Sequence, residues 1–211
     1  MGHAAVPETA VDALQAATRI LTALYDENIE LRKTKSAVKG INQGYINVGR
    51  IEGGTNTNVV PGKVVLKIDR RMIPEEDDAK VETKLRALIE RAALGAAPGH
   101  TTASHQPGIR VDIKRLLLAH AMKPLPGNRP LVDAIQKHGR ELFGEPIPAV
   151  GTPLYTDVRI YGEHGIPGVI YGAGPRTVRE SNAKRADENL VLDDLKRATK
   201  VIARSLFDLL K

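Results

Sequence analysis

The residues best suited to polar recognition fall in the stretch GGTNTNVVPG at positions 53–62. Gly53 and Gly54 permit backbone angles and close approaches that a Cβ forbids. Asn56 and Asn58 carry amides that donate and accept in one plane. The stretch reads either as a turn between two strands or as a loop built to hold a polar group, and residue types alone leave both open. The six histidines, at 3, 100, 105, 120, 138 and 164, show no HxH, HxD or HExxH spacing, and there is no cysteine. Neither a thiolate metal site nor a disulfide is therefore expected. Gly172 and Gly174 lie in a short glycine-rich run, but no lysine–serine pair follows, which makes a phosphate loop a weak reading.

The elements that must position these residues follow from periodicity. Ala10, Leu14, Ala17, Leu21 and Leu24 recur at helical spacing and predict a helix opening near Pro7, with Thr9 as N-cap and Asp12 three residues on. GYINVGRIE and KVVLKIDRR read as strands on either side of the 53–62 loop. In the second, Val64, Leu66 and Ile68 face one way while Lys67, Asp69 and Arg71 face the other. PEEDDAKVETKLRALIERAAL reads as an amphipathic helix with acids at its positive end and a stripe of Val81, Leu85, Leu88 and Ala92. IRVDIKRLLL reads as a third strand.

Helix, strand, strand, helix, strand is one strand short of the βαββαβ split motif, and a sheet lacking a strand exposes an edge that invites pairing. From about residue 119 the proline-rich MKPLPGNRP marks a boundary. A helix LVDAIQKHGRELF ended by Gly144, a short helix with Thr156 as N-cap, a buried strand GVIYGAG and a helix from Leu192 to Leu210 follow. The expected fold is an α+β unit over residues 1–118, ferredoxin-like βαββαβ lacking its first strand, plus a partial α/β segment over 119–211.

Composition narrows the partners. The chain has 211 residues and a formal charge of +6, but its basic residues are spread beside acids and aromatics are only 3%, which argues against nucleic acid. It has neither an apolar run long enough to span a membrane nor a basic-then-apolar leader, so no membrane partner and a cytoplasmic location are expected.

Six motifs occur in order. GHAAVP resembles a Gly-His-Ala-x-x-Pro turn before a helix, GGTNTNVVPG a Gly-Gly-x-x-x-Asn-x-x-Pro loop, and DRRMIP an Asp-x-Arg-x-x-Pro strand end. TDVR resembles Ser/Thr-Asp-x-Arg, GIPGVIYGAGP a Gly-Ile-Pro strand running into Gly-x-Gly, and AKRADE an Ala-His-x-x-Asp-Glu segment. Together they resemble the M20 family of metal-dependent aminoacylases and peptidases. The resemblance implies a lid domain that makes a homodimer and a zinc-binding α/β domain, of which this chain would hold most of the first and the C-terminal part of the second. The parent reaction would be hydrolysis of N-acyl amino acids or short peptides.

By the same resemblance His3 would stabilise an oxyanion in the partner subunit's site, Asn58 and Arg71 would hold a substrate carboxylate, and Arg159 would make substrate-side contacts. The plain alternatives are a frayed terminal His3, an Asx turn at Asn58, an Arg71 paired with Asp69, and Asp157 at the positive end of a helix capped by Thr156. Lys184 stands where the family places a zinc-ligating histidine, and a protonated ammonium has no lone pair to give. The family's other metal ligands and its general base match nothing here. No cofactor is therefore expected in this chain, zinc being the metal of the parent family. The expectation is a degenerate or partial M20 member, inactive alone and keeping a homodimer surface and a small-carboxylate site. The rivals are a non-catalytic dimerisation or carboxylate-binding module and an enzyme completed by a second polypeptide.

Overall fold

The structure, a computed structural model, describes residues 1–95, 108–173, 177 and 179–211 and divides the chain into two compact units, Met1–Ala121 and Met122–Lys211. Unit 1 contains strands β1 (Gly2–His3), β2 (Tyr45–Gly53), β3 (Val59–Val60) and β4 (Val64–Arg71), with helices α1 (Ala13–Leu31) and α2 (Asp78–Ala93). Unit 2 contains helices α3 (Asn128–Phe143), α4 (Val158–Glu163) and α5 (Leu192–Leu209).

Helix α1 opens later than Thr9. Residues 7–9 close a 3-10 turn in which the Thr9 hydroxyl bonds back to the Val6 carbonyl, and Ala10 is extended. The Asp12 carboxylate then accepts from the Leu14 and Gln15 amides at 2.9 and 3.0 Å, satisfying two of the helix's orphan donors. A negative cap at the positive helix end prevails over a threonine whose hydroxyl is already engaged. The buried face of α1 includes Ala16, Ala17, Ile20, Leu24, Asn28 and Leu31, and it meets Ile46 of β2 and Ile89, Ala92 and Ala93 of α2 in one core. Leu24 is fully buried, which contributes about 2 kcal/mol by area. Arg19 of α1 donates to the Ala92 and Ala93 carbonyls at 3.3 and 2.8 Å, capping the C-terminus of α2.

Strands β2 and β4 pair antiparallel from Tyr45 opposite Arg71 to Gly53 opposite Val64, with a bulge at Gly49. Along β4, burial alternates as the sequence requires, with Val64, Leu66, Ile68 and Arg70 half-buried and the residues between them exposed. Inside the core, Asn28 lies against β2: its amide donates to the Ile46 carbonyl at 2.8 Å and accepts from the Ile46 N–H at 2.7 Å. The amide thus satisfies both backbone groups of one strand residue. Asn128 of α3 repeats the device in unit 2 on Gly168, at 3.0 and 3.2 Å.

Residues 109–118 do not form the expected third strand. Ile109 and Ile113 pack on the core, and side chains of α2 hold the segment: Arg86 donates to the Ile113 carbonyl at 2.8 Å, and Glu82 pairs with Arg115. Its apolar alternation does not become burial: Ile109, Ile113 and Leu118 are half-buried, while Val111, Leu116 and Leu117 are exposed. The described part of GVIYGAG, residues 168–173, likewise forms no strand, and Gly174 lies outside the described residues. In unit 2, Gly144 closes α3 in the left-handed conformation with φ 75°.

Candidate functional site

The 53–62 loop is organised by its glycines and by the chain's first residues. Gly54 has φ 82°, which a Cβ would strain. Asn56 folds onto its own backbone, its side-chain oxygen accepting from the Thr57 N–H at 2.7 Å. This contact reaches only the next residue, so it is not an Asx turn, and Asn58 forms none among the described residues. Past that contact the loop forms a two-stranded ribbon, with Gly2 opposite Val60 and His3 opposite Val59. Ala4 donates to the Asn58 carbonyl at 2.9 Å, and Ala13 donates to the Pro61 carbonyl at 2.9 Å.

The ribbon brings His3 and Asn58 together, and His3 is not frayed. The His3 Nδ1 accepts from the Ala5 N–H at 3.1 Å, which assigns the ring proton of a neutral imidazole to Nε2. That proton lies on the nitrogen without a partner among the described residues. The Asn58 side-chain amide is exposed and likewise has no hydrogen-bond partner among them. Two free donors thus stand on one short ribbon.

Arg71 ends β4. Its Nε pairs with Asp69 Oδ2 at 2.8 Å, and both side chains are about half exposed. Beneath it, Arg70 is turned inward, bonding to the Arg71 carbonyl and to Glu76, whose other oxygen accepts from the Ile73 N–H at 2.9 Å. Gly44 leaves room for this brace, since a Cβ there would stand 2.6 Å from Arg70 Nη1. Glu75 fixes the same turn from the other side, accepting from Ser36 and the Ala37 N–H; the Ala37 hydrogen bond, foremost, holds its carboxyl below the ordinary value. Sequence reasoning singled out Arg71 but not Arg70, Glu76 or Gly44. The inward position of Arg70 in the β4 alternation was the available signal.

Asn58 and Arg71 lie toward opposite ends of the β2–β4 hairpin. The loop joins Gly53 to Val64, and Arg71 is seven residues further along β4, so at the usual rise about 23 Å of strand separates the loop end at Val64 from Arg71. Helix α1 gives the same measure. Ala13 bonds to Pro61 at the loop end, and Asn28, about 22 Å along the axis, bonds to Ile46, which lies opposite Arg70. A single carboxylate cannot span that gap.

In unit 2, Thr156 accepts from the Val158 N–H at 3.1 Å at the start of α4, while Asp157 makes no side-chain cap bond. Arg159 stacks over the Tyr155 ring at 5.1 Å, donates to its hydroxyl at 3.1 Å and pairs with Glu163 at 3.0 Å. The Tyr155 hydrogen bond, foremost, raises its pKa. Its Nε is buried with no partner among the described residues. Lys184 is exposed and left-handed, with φ 68°. The Lys184 ammonium makes no ion pair with the neighbouring Asp187 or Glu188. The Lys184 backbone N–H, not the ammonium, bonds to Glu188 at 2.9 Å, while Asp187 accepts from Asn182.

Among the described residues no group of three or more His, Cys, Asp or Glu side chains is placed to hold a metal ion, and the donor set they offer does not fit a zinc centre. His100 and His105 lie outside the described residues. No described helix is long and apolar enough to cross a membrane.

Residues 1–97 match the M20 peptidase dimerisation domain. The chain is 28% identical to the uncharacterized protein YqjE of Bacillus subtilis over 191 residues, covering 90% of this chain and 45% of YqjE. It is 31% identical over 94 residues to the N-acetyldiaminopimelate deacetylase of Bacillus velezensis, covering 44% of this chain and 24% of that protein. Its fold is similar to that of the aminopeptidase PepT from Bacillus cereus, with a TM-score of 0.54 at 17% identity, covering 100% of this chain and 49% of PepT. The chain thus spans less than half the length of each of these relatives. Residues 1–97 therefore carry an M20 peptidase dimerisation domain, and the fold of the chain is similar to that of an aminopeptidase structure along its length.

Proposed function

We propose that residues 1–118 are the lid of an M20 hydrolase, ferredoxin-like in its complete form, and that 119–211 are the C-terminal part of its catalytic domain. The parent reaction is hydrolysis of an N-acyl amino acid or short peptide in the cytoplasm. A deacetylase and an aminopeptidase among the similar proteins support an amide substrate with a free carboxylate or amine.

The observation that carries the site reading is the separation of Arg71 from the His3–Asn58 ribbon along one hairpin. A two-fold antiparallel association of lids places the Arg71 end of one chain beside the ribbon of the other. Each site then takes Arg71 from one chain for the substrate carboxylate, with the partner's Asn58 as amide donor and the partner's His3 Nε2–H directed at the oxyanion. Arg159 serves the substrate side of unit 2. On this reading the 211 residues by themselves are inactive, because Lys184 takes the position of the family's zinc-ligating histidine.

Subunit mixing tests this. Arg71→Ala and Asn58→Ala homodimers should each bind an N-acetyl amino acid about 10- to 100-fold more weakly, the span of hydrogen bonds to a charged group. Mixed dimers should recover one tight site per pair, because the intact Arg71 and the intact Asn58 then meet. A monomeric protein, or mixed dimers with no recovery, overturns the shared site. A second reading, a non-catalytic dimerisation module, is favoured by Lys184 and predicts dimers that bind no ligand.

A further inference from the structure

Asp69 and Arg71 lie two residues apart on the same face of β4, and Asp69 Oδ2 accepts from Arg71 Nε at 2.8 Å. Neither terminal nitrogen of Arg71 has a partner among the described residues. The backbone beneath is fixed by Arg70, Glu76 and the Ile73 amide, and Gly44 opens the space that Arg70 occupies. A guanidinium is planar, with five N–H groups in a fixed fork, so holding Nε sets the direction of the Nη1–Nη2 edge.

We propose that Asp69 is a positioning residue for Arg71, holding Nε so that the two terminal nitrogens present an end-on fork to a planar monocarboxylate. The proposal rests on the reading of Arg71 as the carboxylate ligand and adds its mode of approach. An arginine held at Nε is ordered before the ligand arrives, which removes part of the side-chain entropy that binding would otherwise cost. Side-on docking through Nε and one Nη is closed while Asp69 holds Nε, and two-point contact at the end favours a carboxylate over a group offering a single oxygen. The opposing effect is charge, since the Asp69 carboxylate repels an anionic ligand. The test must therefore separate alignment from charge.

Asp69→Asn and Asp69→Ala both remove the charge, but only asparagine keeps an oxygen that can accept from Nε. Binding of an N-acetyl amino acid is measured on the full chain by NMR titration, with the Arg71 Nε–H resonance as a second readout and circular dichroism as the folding control. Asp69→Asn should bind roughly fivefold more tightly than Asp69→Ala, the worth of one ordinary hydrogen bond. The Nε–H resonance should be sharp in the wild type and Asp69→Asn and broadened by exchange in Asp69→Ala. Equal binding by the two variants, or tighter binding by Asp69→Ala, overturns the positioning role. If that happens while Arg71→Ala still weakens binding, Arg71 keeps its function and only the role of Asp69 is lost. Binding unaffected by Arg71→Ala, or none in the wild type, removes the Arg71 reading and this proposal together.

Discussion

Replacing Asn28 with alanine removes a side chain whose contacts can be counted. Its amide makes two hydrogen bonds to Ile46, at 2.8 and 2.7 Å, and the residues involved are 5% and 1% exposed. Alanine leaves the Ile46 N–H and C=O buried without partners, and each such group costs about 1–3 kcal/mol. Partial entry of water into the vacated space reduces the sum, so we expect about 3 kcal/mol of destabilisation in unit 1. Asn28→Asp should be at least as harmful at neutral pH, because it keeps the acceptor, loses the donor and buries a charge. Urea unfolding followed by far-UV circular dichroism measures the loss, and hydrogen exchange at the Ile46 amide localises it. Ile46 lies opposite Arg70, so protection should fall at the Arg71 end of the hairpin before the Gly53 end. A loss below about 1 kcal/mol with Ile46 protection unchanged would refute the argument that this amide closes the strand.

Two further outcomes follow from the geometry. A Cβ on Gly53 would stand 2.7 Å from the Lys63 carbonyl oxygen and 3.0 Å from Val64 Cα, backbone atoms that cannot rotate away. Gly53→Ala should therefore lower unit 1 stability by about 1–3 kcal/mol, read as a fall in Tm, and an unchanged Tm contradicts the clash. In unit 2, hydrogen bonds from Lys137, foremost, and from His138 hold the Asp208 carboxyl below its ordinary value. A carboxyl lowered by folding stabilises above its unfolded pKa and loses that contribution as pH falls through the folded one. Melting of the α3–α5 pair should thus weaken from about pH 4 downward, and Asp208→Asn should flatten that dependence; parallel curves would count against it.

Under the proposed reading, unit 2 departs from the family in chemistry more than in framework. Gly144, Asn128 and Thr156 make the local structure expected of a helical layer: a left-handed stop, an amide on a strand-like segment and a hydroxyl at a helix start. Lys184, in contrast, sits in a left-handed position tied down through its own N–H to Glu188, with the ammonium exposed. Among the described residues no group of three donor side chains stands at this position to hold a metal. Exchanging the side chain alone therefore does not restore a donor set.

Much of the scaffold was legible because its signals are local. The alternation of Val64, Leu66 and Ile68 and the helical stripe of α2 are periodic patterns that packing obeyed. The β1–β3 ribbon was not legible, since two-residue strands carry no period and arise from a long-range pairing of the N-terminus with the loop. Residues 109–118 show the converse: a strand-like pattern needs a neighbour to become a strand, and that lies outside any local window. The candidate site was partly legible in a more instructive way. Asn58 and Arg71 are only thirteen residues apart, which invites placing them on one ligand. Yet a loop closing Gly53 onto Val64 forces Arg71 opposite Tyr45, at the far end of the hairpin. That register is fixed by the two strand readings already in the sequence. Counting it out is enough to place Arg71 at the far end of the hairpin from the loop, the separation on which the proposed sharing of a site between two chains rests.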